Sequence, residues 1–374
     1  MEFELTEEHK MFQKLGKDFA NREIEPVADE IEKESRVPED MLGKLAAVGL
    51  LGIAAPERYG GLGVGFLTYI LAVEQIHYPC TPCSWLLVAN EFADVLSRVG
   101  TEGQKAELLP PVVEGHMLPS CSFADEIDGV GPATLNTTAH LDKGHWVING
   151  TKRFHTFGHV DGPTIIFART GKGEVSSLLV SKNITGYTSS KPMALLGLRG
   201  LEIVDTYLHD VRVPEDSLLG ERGKGLEVAQ MVAVASRLRQ AIQSVACAQR
   251  ALDEAVKYSK ERTRRGVPIA SMQAIQWLLA EMAMRIEPAR WSTYEVAWSK
   301  EQGEDTGMQS AMLKLFAART AKEVANMAIQ VHGCYGLTKD YRIERIYRQA
   351  KMFELTEGSK DAQASIVADA LLAR

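Results

Sequence analysis

One carboxylate in the sequence stands where general-base chemistry is feasible. Glu357 is followed by Gly358 and Ser359, just before an apolar pattern that predicts a helix over residues 362–372. A short loop between helices can hold a carboxylate in a desolvated pocket, where burial adjusts its pKa for proton transfer. The same position also suits an ordinary residue of a helix cap. The local sequence leaves both interpretations open.

A basic run is the second candidate for chemistry. Residues 260–265 read Lys-Glu-Arg-Thr-Arg-Arg and end a long predicted helix. Arginine guanidinium groups match phosphate oxygens through paired hydrogen bonds, so the run could bind a phosphate. Cations at a helix C-terminus also complement the helix dipole without any ligand. Spacing does not decide between a phosphate site and a solvated helix end.

Two further pairs have ligand-like spacing but little support. Cys80 and Cys83 lack further ligands nearby and lie outside any βαβ pattern, so we expect buried thiols rather than a zinc or redox site. His155 and His159 fall in or beside a predicted strand. Strand geometry would point these two side chains away from a common metal ion.

The composition limits the classes of function. The 374 residues include 42 Lys and Arg against 49 Asp and Glu, a net charge of −7. This balance argues against a nucleic-acid partner, although a local pocket for a phosphorylated ligand is compatible with it. No apolar run approaches the length of a membrane span, the acidic start lacks a signal-peptide pattern, and five cysteines are too few for a disulfide scaffold. We expect a cytoplasmic protein without a membrane partner.

The periodicity of apolar residues divides the chain into three regions that must position these candidates. Residues 1–117 have helical spacing, residues 118–224 have short β-branched runs, and residues 225–374 return to helical spacing. The predicted fold is therefore an N-terminal helical domain, a central antiparallel β-barrel or sandwich, and a C-terminal four-helix bundle.

Three local signals refine this prediction. Asn149-Gly150 follows a β run and predicts a hairpin turn. Pro110 and Pro111 predict a break in the short helix over residues 103–114, and Pro288 predicts a kink or break in the long helix over residues 272–302.

Taken together, the segments resemble the acyl-CoA dehydrogenase family of flavoproteins over essentially the whole chain. Each string is weak alone, but their shared order and spacing make the resemblance specific. The strings that carry it are 146–152 (WVINGTK), 210–214 (DVRVP), 219–225, 261–269, 273–276 (QAIQ), 330–336 (QVHGCYG) and 357–359 (EGS).

The resemblance implies FAD-linked α,β-dehydrogenation of an acyl-CoA thioester. A carboxylate removes the α-proton while the β-hydrogen leaves as hydride to flavin N5. Because that proton is weakly acidic, the family polarises the thioester carbonyl with a backbone N–H and a flavin hydroxyl. Glu357 matches the family's base, so its own N–H would be the donor. Some relatives carry the base at the position of Ser236, which cannot serve.

The same resemblance implies a substrate site around Glu357. Thr356 and Gly358 flank the base, and Arg237 matches an arginine near the floor of the pocket. Trp85 falls in the helix that borders the acyl tail, and its bulk indicates a short, branched or cyclic acyl group. No arginine stands near Thr81, where relatives acting on glutaryl groups carry one, so a dicarboxylic substrate is disfavoured.

The resemblance implies that two subunits each contribute part of the flavin site. Thr156 matches a strand residue that lies against the flavin ring, and Phe154 replaces the family's tryptophan. Backbone groups of Phe123 and Ala124 would serve the flavin. A neighbouring subunit would contribute the nucleotide pocket, which implies a homotetramer built as a dimer of dimers, with an electron-transferring flavoprotein as acceptor. The matching nucleotide residues are Arg262, Gln273, Gln330, Gly333 and Ser359.

The sequence also departs from the family pattern. Residues 122–129 replace the family's Thr-Glu-Pro and Gly-Ser-Asp motifs, Thr356 replaces a tyrosine, and Arg265 stands where an aromatic residue lies near the adenine. A non-catalytic subunit that binds acyl-CoA or FAD, or an oxygen-using oxidase or monooxygenase of the same fold, therefore stays open beside a working dehydrogenase. The acyl group and the direction of reaction also stay open.

Overall fold

The computed structural model describes residues 4–125 and 135–373. Helices come first, then a β-sheet, then helices again, so the predicted architecture of two helical regions around a central β-sheet domain is confirmed. The exact boundaries after residues 117 and 224 stay a prediction. The acidic start at residues 1–3 and loop positions 126–129 lie outside the described ranges. Within those ranges, no helix combines the length and apolarity of a membrane span.

The N-terminal helices pack around α4, which is apolar on nearly all sides and therefore buried. Thr6 caps α1, where its Oγ1 accepts the His9 N–H at 3.2 Å. A π-helical turn and a 3₁₀ turn follow Phe19, the last residue of α1. The helices are α1 (Glu7–Phe19), α2 (Ala28–Glu34), α3 (Met41–Ala47), α4 (Phe66–His77), α5 (Thr81–Trp85), α6 (Val88–Val99) and α7 (Glu102–Val113).

The central sheet has the strand order β6-β7-β3-β2-β4-β5-β8, and β1 pairs with β4. Most neighbours are antiparallel, but β1 and β2 run parallel to β4, so the pairing is mixed. Ile166 on β4 packs in a core within the β region, whereas Ile165 and Phe167 pack against the helices. The strands are β1 (Ser120–Ser122), β2 (Thr138–Asp142), β3 (His145–Thr156), β4 (Pro163–Gly171), β5 (Glu174–Ser181), β6 (Tyr187–Ser189), β7 (Ile203–Pro214) and β8 (Leu218–Leu219).

The hairpin predicted at Asn149-Gly150 is wrong. Both residues lie inside β3, where the register against β7 shifts. Gly150 approaches Thr137 so closely that a Cβ there would lie 2.6 Å from the threonine Oγ1. The chain reverses instead at Lys143-Gly144, where both residues have positive φ, as a type I′ turn requires. The glycine thus serves an irregularity within a strand, not a turn.

The C-terminal region contains the four helices that were predicted and one that was not. The missed helix is α11, whose buried residues Ile343, Ile346, Ala350 and Phe353 have helical spacing but are separated by charges. A small hairpin of β9 (Thr263–Arg264) and β10 (Val267–Pro268) follows the first helix. The helices are α8 (Gly225–Glu261), α9 (Gln273–Glu301), α10 (Gly307–His332), α11 (Ile343–Phe353) and α12 (Lys360–Leu372).

The predicted proline breaks are also wrong, because both helices continue through their prolines, while a kink at Pro288 stays a prediction. A proline leaves the carbonyl four residues earlier without its N–H partner. For Pro110 and Pro111 those carbonyls belong to exposed residues of α7, and for Pro288 the carbonyl belongs to Met284, which is 69% exposed. Water can satisfy these groups, so the helices persist.

Ion pairs join the N-terminal helices to α11. Arg345 contacts Asp29 at 2.7 Å and Arg348 contacts Glu32 at 2.6 Å, from successive turns of α11. Exposed pairs contribute little individually, but these four side chains orient the helix that leads directly into the loop of Glu357.

A buried ion pair holds the loop that enters the β region. Asp125 accepts the Lys152 ammonium at 2.5 Å, the Thr137 hydroxyl at 2.9 Å, and the backbone N–H groups of Asn136 and Thr137. The two charged side chains are fully buried, and Lys152 also donates to the Phe167 carbonyl at 2.8 Å. Burial lowers the pKa of Lys152, which Asp125 partly offsets.

Replacing Lys152 with Met should destabilise the protein, because it leaves the Asp125 carboxylate buried without its cation. We expect a loss of about 3–5 kcal/mol, which lowers the thermal midpoint by several degrees. A thermal unfolding measurement checks this against Lys172→Met, a control at an exposed lysine in the β4–β5 turn. Equal midpoints for the two variants would show that the pair does not stabilise the loop.

Candidate active site

Glu357 lies in the short loop between α11 and α12 in a strained conformation. Its φ is +55° and that of Gly358 is +93°, although only glycine adopts this region without cost. The Glu357 carbonyl accepts the Gln363 amide at 2.9 Å, and its N–H donates to no acceptor in the described parts of the chain. Strain of this kind persists where surrounding contacts hold it, commonly at functional sites.

Two buried side chains from the bundle hold this loop. Lys314 on α10 donates from Nζ to the Gly358 carbonyl at 2.5 Å. Gln240 on α8 donates to the Thr356 hydroxyl. Burial lowers the pKa of Lys314 to about 8, with nearby Glu357 opposing the shift. The backbone on both sides of Glu357 is therefore fixed by helices α8 and α10.

The Glu357 side chain is paired with a buried arginine. Its Oε1 accepts Nη2 of Arg239 at 3.1 Å, and the carboxyl side chain is 18% exposed. The same guanidinium donates from Nε to Glu91 and from Nη1 to Gln243 at 3.2 Å. It also stacks on Trp85, with 4.0 Å from the guanidinium carbon to the ring centroid. Arg239 thus donates a hydrogen bond from each of its three guanidinium nitrogens and stacks one face of the group on Trp85.

The groups behind Arg239 are deeply buried. Tyr69 donates its hydroxyl to Glu91 at 2.8 Å, and burial raises the pKa of both groups. Arg239 partly opposes this effect at Glu91. The Arg239–Glu91 ion pair lies in a region from which water is excluded, where an unpaired charge is unfavourable.

A chain of hydrogen bonds extends from this pair to α5. Gln243 donates to the Ser84 hydroxyl at 2.9 Å, and Ser84 is 2.9 Å from Nδ1 of His77. Nε2 of His77 is 3.2 Å from the Thr81 hydroxyl. Burial lowers the pKa of His77 to about 3, so this imidazole is neutral near pH 7 and acts as a structural link.

Besides Gln363 with its Oε1, three buried side chains near Glu357 carry polar atoms without a hydrogen-bond partner in the described ranges. They are Nε1 of Trp85, Oε1 of Gln240, and Nε and Nη1 of Arg237. All three residues are more than nine-tenths buried, and burial lowers the pKa of Arg237. Buried polar atoms are normally satisfied, so a cluster of unsatisfied ones indicates a bound partner.

A second group of predicted residues lies on and beside β3. Phe154 is 64% exposed with a φ of +52°, an unusual combination for a large aromatic residue. Thr156 is half-buried two residues further along the strand. Phe123 stacks on Phe167 at 5.4 Å, and the Ala124 carbonyl accepts a backbone N–H from β3.

The charge of Glu357 affects a thiol next to this second group. Burial and the negative charge of Glu357 raise the pKa of Cys121 on β1, directly before these residues. The buried hydroxyl of Ser122 also has no partner in residues 4–125 or 135–373. An exposed aromatic face, an orphaned hydroxyl and a nearby carboxylate fit an aromatic cofactor with hydrogen-bonding edges.

The predicted nucleotide residues form a third group. Arg262 stacks on Tyr335 at 5.4 Å, and no carboxylate in the described structure forms an ion pair with it. Gln330 and Gly333 are exposed at the end of α10, and a Cβ at Gly333 would meet open space. Gln273 is exposed at the start of α9. An available guanidinium in an open surface fits a phosphate group.

No hydrogen bond or ion pair within the described residues joins this third group to Glu357 or β3. Ser359 lies beside Glu357 instead, and its hydroxyl accepts the Ala362 N–H at 3.3 Å as the N-cap of α12. Arg265 is exposed with a φ of +53°. Ser359 therefore shares the loop of Glu357, whereas the other predicted nucleotide residues lie on other elements.

The two histidines with ligand-like spacing contact side chains of neighbouring residues in the β region. His155 is buried and contacts the hydroxyls of Ser120 at 2.8 Å and Thr206 at 2.9 Å, which joins three strands. His159 lies 3.4 Å from Glu202. Among residues that the structure describes, no cluster of three or more His, Cys, Asp or Glu side chains could hold a metal.

Cys80 and Cys83 are buried free thiols. Cys80 and burial together raise the pKa of Cys83 well above its ordinary value, which disfavours the reactive thiolate.

Reasoning from sequence missed Arg239, Glu91 and Lys314. A signal was present, because Arg239 stands in a long helix segment with Leu238 and Ala241 beside it. A charge in such a setting must find a partner when the helix is buried. The identity of that partner required the fold, since Glu91 is 148 residues away.

Comparisons with known proteins show the family of the chain. Family models described as the acyl-CoA dehydrogenase N-terminal, middle and C-terminal domains match residues 6–116, 121–211 and 223–372. Acryloyl-CoA reductase (NADH) of Anaerotignum propionicum is 36% identical over 381 residues, covering 100% of this chain and 97% of that protein.

Solved structures are similar over the full length. Butyryl-CoA dehydrogenase from Megasphaera elsdenii has a TM-score of 0.95 at 31% identity, and each chain is covered completely. A chain from structural work on the electron transferring flavoprotein of Acidaminococcus fermentans and flavin-based electron bifurcation has a TM-score of 0.95 at 33% identity, again with complete coverage of both chains.

Replacing Arg239 with Met should cost about 3–5 kcal/mol of stability, because two carboxylates then lose their shared cation in a buried site. Arg285→Met is the matched control, since Arg285 pairs with Glu281 and Glu323 at the surface. Its replacement should lower the free energy of unfolding by less than about 1 kcal/mol. Thermal unfolding compares the two variants. A midpoint for Arg239→Met no lower than that of the control would contradict the described ion pair.

Proposed function

The chain belongs to the acyl-CoA dehydrogenase family and is an FAD-dependent oxidoreductase acting on acyl-CoA, and within that family we propose that Glu357 is the catalytic base. The proposed reaction is α,β-dehydrogenation of a short, branched or cyclic acyl-CoA thioester. The observation that carries this proposal is a strained, half-buried carboxylate fixed between α8 and α10 beside unsatisfied polar atoms.

The protein residues have distinct proposed roles in proton transfer. FAD, when bound, supplies the acceptor for the β-hydrogen. Glu357 leaves Arg239 and takes the α-proton onto its carboxylate. The free N–H of Glu357 donates to the thioester carbonyl and stabilises the negative charge that develops there. Arg237 adds positive charge near the same centre, and its buried Nε and Nη1 have no hydrogen-bond partner in the described residues.

The proposed size of the acyl group follows from Trp85. This side chain is 4% exposed and stacked on Arg239, so a long acyl chain would have to displace both. Thr356 and Gly358 complete the proposed substrate site on either side of the base. A short, branched or cyclic group needs no such displacement.

The residues present fit FAD in two separate groups. Phe154, Thr156 and the backbone of Phe123 and Ala124 would hold the ring system, and Arg262 with its surroundings would hold the pyrophosphate and adenosine of a neighbouring subunit's FAD. Ser359 would contribute through its hydroxyl beside the base. We propose a homotetramer, supported by apolar side chains on α9 and α10 that one chain leaves exposed: Trp277, Met284, Met312 and Phe316.

The proposed electron acceptor is an electron-transferring flavoprotein, supported by the similarity to the Acidaminococcus fermentans chain. The second candidate function is enoyl-CoA reduction, which the similarity to acryloyl-CoA reductase favours and which the same base would serve by donating its proton. The presence of Glu357 supports a catalytic role over a non-catalytic subunit. Free thiols support a cytoplasmic location.

Glu357→Gln should abolish bleaching of the flavin by acyl-CoA while FAD stays bound. The amide cannot accept the α-proton, and loss of a general base lowers rates by about 10²–10⁴-fold. Anaerobic rapid-mixing absorbance measures the rate. Glu354→Gln is the control, because Glu354 lies three residues away but pairs with Lys322 and Lys351. Full-rate bleaching in Glu357→Gln would rule out the proposed base.

Subunit complementation should reveal whether FAD is shared between chains. Arg262→Ala removes the proposed pyrophosphate contact, and Glu357→Gln removes the base, so each homo-oligomer should be inactive. Co-expression with two affinity tags gives mixed oligomers in which one site combines Glu357 of one chain with Arg262 of the other. We expect roughly half the activity per FAD site to return in a mixed dimer. No recovery, with both chains present, would place Arg262 on the FAD of its own chain.

A further inference from the structure

The wall behind the proposed base is unusually polar for a pocket that would receive a hydrocarbon chain. Arg239, Glu91, Gln240 and Gln243 are all buried there, and Arg239 stacks on the ring of Trp85. Pockets for plain acyl chains are predominantly apolar, because each buried polar group needs a partner. The polarity of this wall therefore bears on which acyl group the site prefers.

The proposed catalytic movement removes a partner from Arg239. In the described structure Nη2 of Arg239 donates to Glu357 at 3.1 Å, while Nε and Nη1 donate to other residues. When Glu357 turns to the α-carbon, Nη2 loses its acceptor in a buried site. Leaving a charged donor unsatisfied is costly, so a substrate atom that accepts this bond is favoured.

Two further buried polar atoms lie on residues that contact or adjoin Arg239, and they form no hydrogen bond within the described residues. Nε1 of Trp85 is a donor, and Oε1 of Gln240 is an acceptor, and neither has a partner in the described residues. Trp85 stacks on Arg239, while Gln240 follows Arg239 in α8 and bonds Thr356 next to the base. Together with Nη2 of Arg239, the inventory is two donors and one acceptor on residues linked by these contacts.

We propose that the preferred substrate is a short acyl-CoA whose acyl chain carries a hydroxyl beyond the β-carbon. This inference rests on the proposed function, in which Trp85 borders the acyl group. A hydroxyl accepts two hydrogen bonds and donates one, which matches Trp85 Nε1, Arg239 Nη2 and Gln240 Oε1. The hydroxyl is recognised and does not react, so the chemistry at the α- and β-carbons is unchanged.

A carboxylate at the same place is a poorer match. It cannot donate to Oε1 of Gln240, and it would place a second negative charge beside Glu357 in a buried site. A methyl group is poorer still, because all three polar atoms stay unsatisfied. The wall thus ranks substrates of equal length by their terminal group.

Three thioesters with four-carbon acyl groups test this ranking on the holoenzyme. They are 4-hydroxybutyryl-CoA, butyryl-CoA and succinyl-CoA, compared by kcat/KM and by anaerobic flavin bleaching. We expect 4-hydroxybutyryl-CoA to exceed butyryl-CoA by roughly ten- to a hundredfold, the effect of satisfying buried donors. Butyryl-CoA equal to or better than the hydroxy compound overturns the inference, and so does a preference for succinyl-CoA.

A matched pair of variants assigns the preference to Trp85. Trp85→Phe removes Nε1 but keeps an aromatic ring, and should lower the ratio of hydroxybutyryl to butyryl activity by about tenfold. Trp146→Phe is the control, because its Nε1 donates to the Glu215 carbonyl at 3.2 Å in the β region. An unchanged ratio in Trp85→Phe overturns the role of Nε1, and if the variant fails to fold the wild-type ratio still decides the inference.

Failure of this inference is distinguishable from failure of the proposed function. If butyryl-CoA bleaches the flavin well and the hydroxy compound does not, the proposed dehydrogenase function is retained. The proposed preference for a hydroxylated acyl group is then wrong. If no acyl-CoA of any terminal group bleaches the flavin, the proposed function itself is wrong.

Discussion

The ion pair between Arg239 and Glu357 is the interaction on which the rest of the site depends. It places a carboxylate in a largely buried position and gives it one defined orientation before substrate binds. Glu91 shares the same guanidinium, so the cation stays compensated when Glu357 moves. A buried pair is weak evidence for stability, but removal of one member is costly, which keeps the three residues together.

The N-terminal and C-terminal helical regions both contribute to that pair and its partners. Helix α8 carries Arg239, the N-terminal helices supply Glu91, Tyr69 and Trp85, and the loop after α11 supplies Glu357. Contacts of α11 with α2 orient the start of that loop, and Lys314 on α10 fixes its end. The negative charge of the same carboxylate also contributes to the raised pKa of Cys121 on β1. The site therefore exists only where the regions meet.

Much of the fold was predictable because periodicity is a local property. The α, β, α order and Glu357 in a loop before the last helix both followed from neighbouring residues. Asn149-Gly150 misled because the same dipeptide serves a turn or an irregular strand, and only pairing with β7 decides. Arg239 with Glu91, and Asp125 with Lys152, were not predictable, since each joins residues that only the tertiary fold brings together.

The most direct test of the account is hydrogen exchange at the α-carbon of the thioester. The reduced holoenzyme is incubated with butyryl-CoA in deuterium oxide, and mass spectrometry follows deuterium entering the acyl group, a readout that needs no electron acceptor. The account predicts α-exchange catalysed by the wild-type protein and lost by at least about a hundredfold in Glu357→Gln. Undiminished exchange in that variant would show that another group moves the proton, and the central role of the Arg239–Glu357 pair would fall.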